Sequence, residues 1–262
     1  MAELVITVPA FADNRKRVRH YFGTRHFSRP GSATPRRRRQ ARQSPQPGGR
    51  IQRAVEDHTR QIRAGARSHL VVSVRQVHGT DVLVIDELPR TDKSITGTWD
   101  ALVTNQRGVE LTVSTADCVP ILIYDPDRAV VAAVHAGWRG AVGGILAKTI
   151  GTMHRVFGSE ARSLQVGIGP SVGPCCYEVD EPVISRLRTG FPGWRTVIEE
   201  AGSGKAMLDL RKLVRGQAHM SGVDPEAIWT VGTCTVCHPE LFYSYRREGV
   251  VNSTMISGIV LK

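Results

Sequence analysis

Short apolar runs rich in Val, Ile and Leu recur along most of this chain. They cover residues 70–74, 81–85, 109–113, 121–124, 129–134, 164–168, 228–231 and 255–261. Their length and β-branched content predict strands. Residues 4–12 form another apolar stretch, read as a first strand. It ends in Ala10-Phe11-Ala12, which mimics a cleavage site, but it lacks a basic leading segment and is short for a signal peptide. The period lengthens to three or four residues at 51–64, 140–156, 182–188 and 208–221, which predicts helices. In the second of these, Ile145, Leu146, Thr149, Met153 and Val156 mark one face. Asp209 falls at the start of the last, where a carboxylate favours the positive end of the helix. Strands dominate the centre and helices are interspersed, so the pattern predicts an α+β fold, layered around mixed β-sheets. No shift in composition follows residue 68, and residues 1–262 are read as one domain.

Charge changes the picture at one end only. The net charge of +11 is concentrated in residues 1–67, which hold 16 Lys and Arg against 4 Asp and Glu, a net of +12. The other 195 residues hold 19 against 20. Within the basic segment, Arg36-Arg37-Arg38-Arg39 lies among Ser, Pro, Gly and Gln from about 28 to 50, a composition too polar to offset its ordering entropy. It is read as a mobile loop. Without aromatic residues to stack on bases, it predicts no specific nucleic-acid partner. No apolar run reaches the roughly 18 residues that span a bilayer, so no membrane partner is expected. Five cysteines in 262 residues do not make a disulfide framework, and a reducing cytoplasm is the simplest compartment.

Candidate chemistry concentrates at three places. The apolar run at 111–115 breaks at Ala116-Asp117-Cys118, and Pro120 restricts the backbone just beyond the break. The next run ends in the turn-forming Tyr124-Asp125-Pro126-Asp127, and the chain returns to deliver His135 before Gly137-Trp138-Arg139-Gly140. Cys118 thus begins one strand and His135 ends the next, and antiparallel pairing would set them side by side. His78 follows another strand. Two imidazoles and a thiolate leave the fourth position of a tetrahedral zinc open, as catalytic sites do. The same residues also suit a metal-free Cys–His nucleophile pair.

Other motifs are weaker. Gly169-Pro170 through Tyr177-Glu178 is a Gly/Pro-rich loop, whose vicinal Cys175-Cys176 lacks the Cys-x-x-Cys spacing and is read as packing, with a site role left open for one of the two. Cys234-Thr235-Val236-Cys237-His238 matches a haem-attachment pattern and is half of a four-ligand zinc site. With no partner pair at suitable spacing, it is read as chance. Phe242-Tyr243-Ser244-Tyr245-Arg246-Arg247 alternates aromatic and basic groups that suit either a site or a half-exposed strand.

Taken in order, Gln76-Val77-His78-Gly79, Ala116-Asp117-Cys118 with Pro120, Val134 through Gly140, Gly173-Pro174-Cys175-Cys176-Tyr177 and Ser244-Tyr245-Arg246-Arg247 form a specific set. It resembles the bacterial laccase-domain family, first described as multicopper polyphenol oxidases. Its members are now understood as zinc-dependent purine nucleoside phosphorylases, some with adenosine deaminase activity. The resemblance implies a layered α/β sandwich similar to a cysteine-deamidase toxin. It also implies that His78, Cys118 and His135 are the metal-binding and catalytic residues. Three departures bear on ligand contacts. The family's N-terminal block survives only as Phe22-Gly23-Thr24-Arg25, Ser171 replaces a cysteine found in many members, and Val251-Asn252-Ser253-Thr254 replaces a Gly-Arg.

On this reading the partners are a purine nucleoside and phosphate, met by a cytoplasmic monomer. The metal's open position orients phosphate for attack on the ribose C1′, or water for deamination. Asp117 would transfer a proton or support a ligand histidine. Arg25, Gln76, Arg139 and Tyr177 are the candidate contacts to phosphate or substrate, the arginines through paired donors. A copper polyphenol oxidase would need many imidazoles, and seven of the nine histidines lie outside the three motifs. A hydrolase would use Cys118 as nucleophile and His135 as base.

Overall fold

The computed structural model describes residues 5–11, 14, 17–27, 70–87 and 97–262. The basic stretch at 28–50 and the helix expected at 51–64 lie outside them. Among the described residues the centre is a six-stranded mixed sheet, ordered β13 (Ile228–Thr230), β9 (Gln165–Ile168), β7 (Val119–Asp125), β8 (Val130–Ala136), β5 (Ala101–Thr104) and β4 (Val82–Ile85). The two outer pairs, β13 with β9 and β4 with β5, are parallel, and the inner pairs are antiparallel. A five-stranded sheet packs on one face. It runs β1 (Val5–Ile6), β2 (Val18–Gly23), β14 (Met255–Leu261), β6 (Val109–Thr115) and β3 (Leu70–Val72).

Two-sided burial explains the continuous apolar runs. Every residue of β7 and β8 is buried. Ile121 and Ile123 join a core with the helices, whereas Leu122 and Tyr124 join a second core with Phe22, Leu111 and Ile259 of the five-stranded sheet. Alternation along one strand therefore feeds both layers. The helices α1 (Trp138–Val142), α2 (Ile145–Phe157), α3 (Glu181–Gly190) and α4 (Leu210–Met220) supply the first core. The result is a mixed α+β architecture of helices, sheet and sheet. A small antiparallel sheet of β10 (Glu178–Val179), β12 (Lys205–Leu208) and β11 (Ile198–Gly202) completes it.

Several boundaries differ from the sequence pattern. The helix expected at 140–156 is two helices, because Gly144 takes the left-handed conformation (φ 78°) between them. Val156, expected on the buried face, is 44% exposed. Among the described residues, the first apolar stretch gives the two-residue strand β1. Pro9, with no N–H to donate, then opens a 3-10 turn over Pro9–Phe11. Asp209 caps α4, its carboxylate accepting from the Lys212 N–H at 3.0 Å.

Candidate metal centre

The three ligand candidates converge at one end of the two sheets. In the β7–β8 pair, Pro120 lies opposite His135 and Val119 opposite Ala136, so Cys118 stands one step beyond the ladder, beside the chain that leaves β8. His78 comes from the loop after β3. Its ring meets that of His135 edge to face, with centroids 4.8 Å apart. The ligand atoms of His78, Cys118 and His135 all lie within 4.8 Å of one another. Gly137 makes this closeness possible: a Cβ there would stand 2.6 Å from the His78 ring and 3.1 Å from the Cys118 sulfur.

Asp100, which the sequence reading did not single out, organises both histidines. It is fully buried just before β5. Its Oδ1 receives His135 Nδ1 at 2.8 Å and the His78 N–H at 2.9 Å, while Oδ2 receives the N–H groups of Gly79 (2.7 Å) and Val77 (3.3 Å). Burial pushes this carboxyl up, but the hydrogen bonds from His135, Gly79 and Val77 outweigh it and hold the group below the ordinary carboxylate value. An ionised carboxylate only accepts, so His135 Nδ1 carries a proton, and in the neutral ring Nε2 keeps the lone pair. That is the carboxylate–histidine–metal arrangement of known metal sites. The three N–H bonds also hold the loop at His78, whose backbone is left-handed (φ 61°). His78 itself is pushed below its ordinary value, first by burial and then by His135, so its ring is neutral and able to ligate.

Asp117 points away from the two histidines. The carboxylate partnering a ligand histidine is Asp100, whereas Asp117 faces the C-terminal segment. Its Oδ1 accepts from Thr235 Oγ1 at 2.6 Å, and its Oδ2 accepts from the Arg246 N–H at 2.6 Å and Ser244 Oγ at 3.1 Å. Residues 116–118 carry the chain from β6 in one sheet to β7 in the other, and Asp117 turns that corner with φ 94°. Three hydrogen bonds fix the corner and so fix Cys118. The Cys118 thiol is pushed up to about 12, first by burial, then by Asp117 and Asp100.

A cleft of about 370 Å³ opens over the ligands, lined among others by Gln76, Ser114, Thr115, Tyr245, Val251 and Thr254. Gln76 both donates to and accepts from the Ser114 backbone at 2.8 Å, tying the His78 loop to β6. Tyr245 is 62% exposed at the rim. Tyr177 lies close enough to Cys118 to feel its charge; burial first, then Cys118, pushes its hydroxyl up to about 12. The Arg246 guanidinium covers one face of its ring at 5.0 Å. Arg139 is exposed and lies over the Trp138 ring at 4.5 Å, near enough for its charge to lower His78. Arg25 turns to the C-terminal segment, bonding the Pro239 carbonyl and lying 4.8 Å over the Tyr243 ring. Of the four proposed contacts, Gln76 lines the cleft, Arg139 and Tyr177 stand near the ligands, and Arg25 packs against the C-terminal segment.

Two histidines and a cysteine are a suitable donor set for one zinc ion. Among the described residues, a second cluster with metal-binding geometry contains cysteines alone. Cys175 is exposed, and not packed as expected.

Comparison with known proteins bears on this site. Residues 49–262 match the family model described as multi-copper polyphenol oxidoreductase laccase. A purine nucleoside phosphorylase of Bacteroides thetaiotaomicron is 35% identical over 199 residues, covering 73% of each chain. The purine nucleoside phosphorylase YlmD of Geobacillus stearothermophilus is 34% identical over 199 residues, covering 72% of this chain and 71% of that one. The crystal structure of YlmD superposes with a TM-score of 0.76 at 28% identity over 97% of this chain and 94% of that one. The adenosine deaminase RL5, from an unknown prokaryotic organism, is 35% identical over 199 residues, covering 73% of this chain and 75% of its own.

Proposed function

Because this chain belongs to the family described as multi-copper polyphenol oxidoreductase laccase, we propose that it is a zinc-dependent purine nucleoside phosphorylase that cleaves adenosine- or inosine-type nucleosides, with adenosine deamination as a side activity. Relatives named for both activities support the reading. The observation that carries it is the convergence of His78, Cys118 and His135 beneath a cleft, with Asp100 fixing His135 so that Nε2 is left to ligate.

Zinc held there would supply a Lewis-acidic open position. The protein's own groups do the rest. Arg139 holds phosphate through its paired N–H donors. Tyr245 at the rim stacks on the purine, and Gln76 and Tyr177 border it. An oxygen of hydrogen phosphate bonds to C1′ as the C1′–N bond to the base breaks, and the proton the phosphate gives up goes to the departing ring nitrogen. Asp117 positions Cys118 through the corner it holds. Five unpaired thiols suit work in a reducing cytoplasm.

The alternatives are weaker on physical grounds. A multicopper centre needs imidazoles in number, and among the described residues only His78 and His135 join a ligand cluster. A hydrolase would have to deprotonate Cys118, which burial, Asp117 and Asp100 make costly by pushing its thiol up to about 12. Elemental analysis of the purified protein, paired with adenosine and inosine assays with and without phosphate, tests the proposal. Stoichiometric zinc and base released only with phosphate are expected. Stoichiometric copper, or equal release without phosphate, would overturn it, as would full activity and zinc content in Cys118→Ala.

A further inference from the structure

Strands β9 and β13 are parallel neighbours, with Val166 opposite Ile228 and Ile168 opposite Thr230. The loops that come after them therefore leave the same edge of the sheet, and the bridge between Ser171 and Cys234 keeps them together. A turn in the first loop carries Cys175 and Cys176, and a turn in the second runs from Cys234 to Cys237. Cysteines nearly 60 residues apart thus meet, and the partner pair absent from local spacing is supplied by topology. All four sulfurs lie within 4.8 Å of one another; Cys237 is 3.7 Å from Cys175 and 3.4 Å from Cys176. Four thiolates at Zn–S bonds of about 2.3 Å stand about 3.8 Å apart along the edges of the tetrahedron. We propose that Cys175, Cys176, Cys234 and Cys237 bind a second, structural zinc ion, closed to substrate and separate from the His78–Cys118–His135 centre.

The surroundings suit a thiolate cluster. The Gly173 N–H donates to the Cys234 sulfur at 3.2 Å. A Cβ on Gly173 would stand 3.0 Å from the Arg211 guanidinium and 3.2 Å from the Cys175 sulfur, so a buried positive charge lies beside the sulfurs. Arg211 also donates to the carbonyls of Thr233 (3.1 Å) and Val231 (3.3 Å), just before Cys234. Such N–H and cationic partners stabilise a cluster of negative sulfurs.

The cluster has a structural consequence. Thr235, between two of its cysteines, donates to Asp117 next to Cys118. Arg247 grips the same turn through the carbonyls of Thr235 (2.8 Å) and Val236 (3.0 Å). The ion would lock that turn and, through Asp117, the corner on which Cys118 sits.

The test counts metal on the full chain, purified under reducing conditions. A His78→Ala/Cys118→Ser variant should keep one zinc equivalent, and cobalt replacing it should show the strong sulfur-to-metal absorption of four thiolates. A Cys175→Ser/Cys237→Ser variant should lose one equivalent and melt lower. Should that variant fail to fold, alkylation of the unmodified chain decides: the four thiols should resist reagent until a strong chelator is added. The proposal is overturned if all metal disappears with the His78/Cys118 variant, if the four thiols react freely in the metal-loaded protein, or if they are found as disulfides. None of these readouts depends on which reaction the other centre catalyses.

Discussion

Gly137→Ala tests the geometry of the His/Cys/His centre with a single methyl group. The added Cβ would lie 2.6 Å from His78 Cδ2 and 3.1 Å from Cys118 Sγ, whereas ordinary contact begins at 3.4 Å. His78 must therefore retreat by about 0.8 Å and the sulfur by about 0.3 Å. Metal–ligand distances tolerate only about 0.2 Å, so the two ligands cannot both keep their places. Zinc affinity should fall roughly 10- to 100-fold, about 1.4–2.8 kcal/mol, as when other close supports of a metal ligand are altered. Turnover should fall about 100-fold, the usual effect of a 1 Å misplacement. The backbone is not the cause, because Gly137 has φ −72° and ψ 168°, which alanine adopts freely. Competition with a chromophoric chelator gives the affinity. Gly151→Ala, mid-helix in α2 with nothing within 4 Å of the new Cβ, is the control. It should leave zinc untouched and stabilise the helix by roughly 0.5–1 kcal/mol. If Gly137→Ala held zinc and turned over like the parent, the close approach of His78 and Cys118 would be refuted.

Two further outcomes rest on polar groups that are buried or half-buried. Asp100→Asn keeps the shape but loses the charge, and its amide N–H₂ must face donors it cannot accept from; zinc affinity should fall about 10- to 100-fold by chelator competition, and unchanged affinity would remove Asp100 from the centre. His20 accepts the Val8 N–H on Nε2 at 3.0 Å, and burial holds its pKa down at about 4 against 6.5. The unfolded chain thus binds the extra proton between those values, so stability is full above pH 6.5 and falls as pH drops towards 4. Discounted for partial exposure, the loss is about 1–2 kcal/mol. Urea midpoints at the two ends of that range should converge in His20→Gln, and an equal pH dependence in that variant would exclude His20 as the source.

The central fold was legible because its two inner strands are buried on both faces, which writes them into the sequence as unbroken apolar runs. The Cys118–His135 meeting came from a strand, a turn and a returning strand, an arrangement fixed by local sequence. Asp100 was not legible for the opposite reason. It precedes Ala101–Thr104, a strand of four residues whose pattern is too brief to stand out, and a single aspartate gives no sign that three backbone N–H groups and an imidazole will close on it. Asp117 was visible as a neighbour of Cys118, but its direction depends on the C-terminal segment 118 to 129 residues away. The four cysteines were visible too. What the spacing omits is that β9 and β13 are parallel, a fact of topology that no local pattern carries.

The two clusters therefore differ in what holds them. Cys118 and His135 sit at the ends of strands buried in the sandwich, and His78 is drawn in by a fully buried carboxylate. The left-handed backbones at His78 and Asp117 are unfavourable for such residues alone, and each is secured by hydrogen bonds to one aspartate. On the proposed reading the protein would thus fix the ligands before a metal arrives, the condition for keeping one coordination position open to substrate. Cys175, Cys176 and Cys237 lie on turns outside the sheet and are wholly or partly exposed. They are held by hydrogen bonds of the turns and not by strands buried on both faces, so on the second-zinc proposal the ion would tighten the turns. Asp117 joins the two regimes: it takes one hydrogen bond from the turn the second zinc would tighten, and it forms the corner that presents Cys118 to the first.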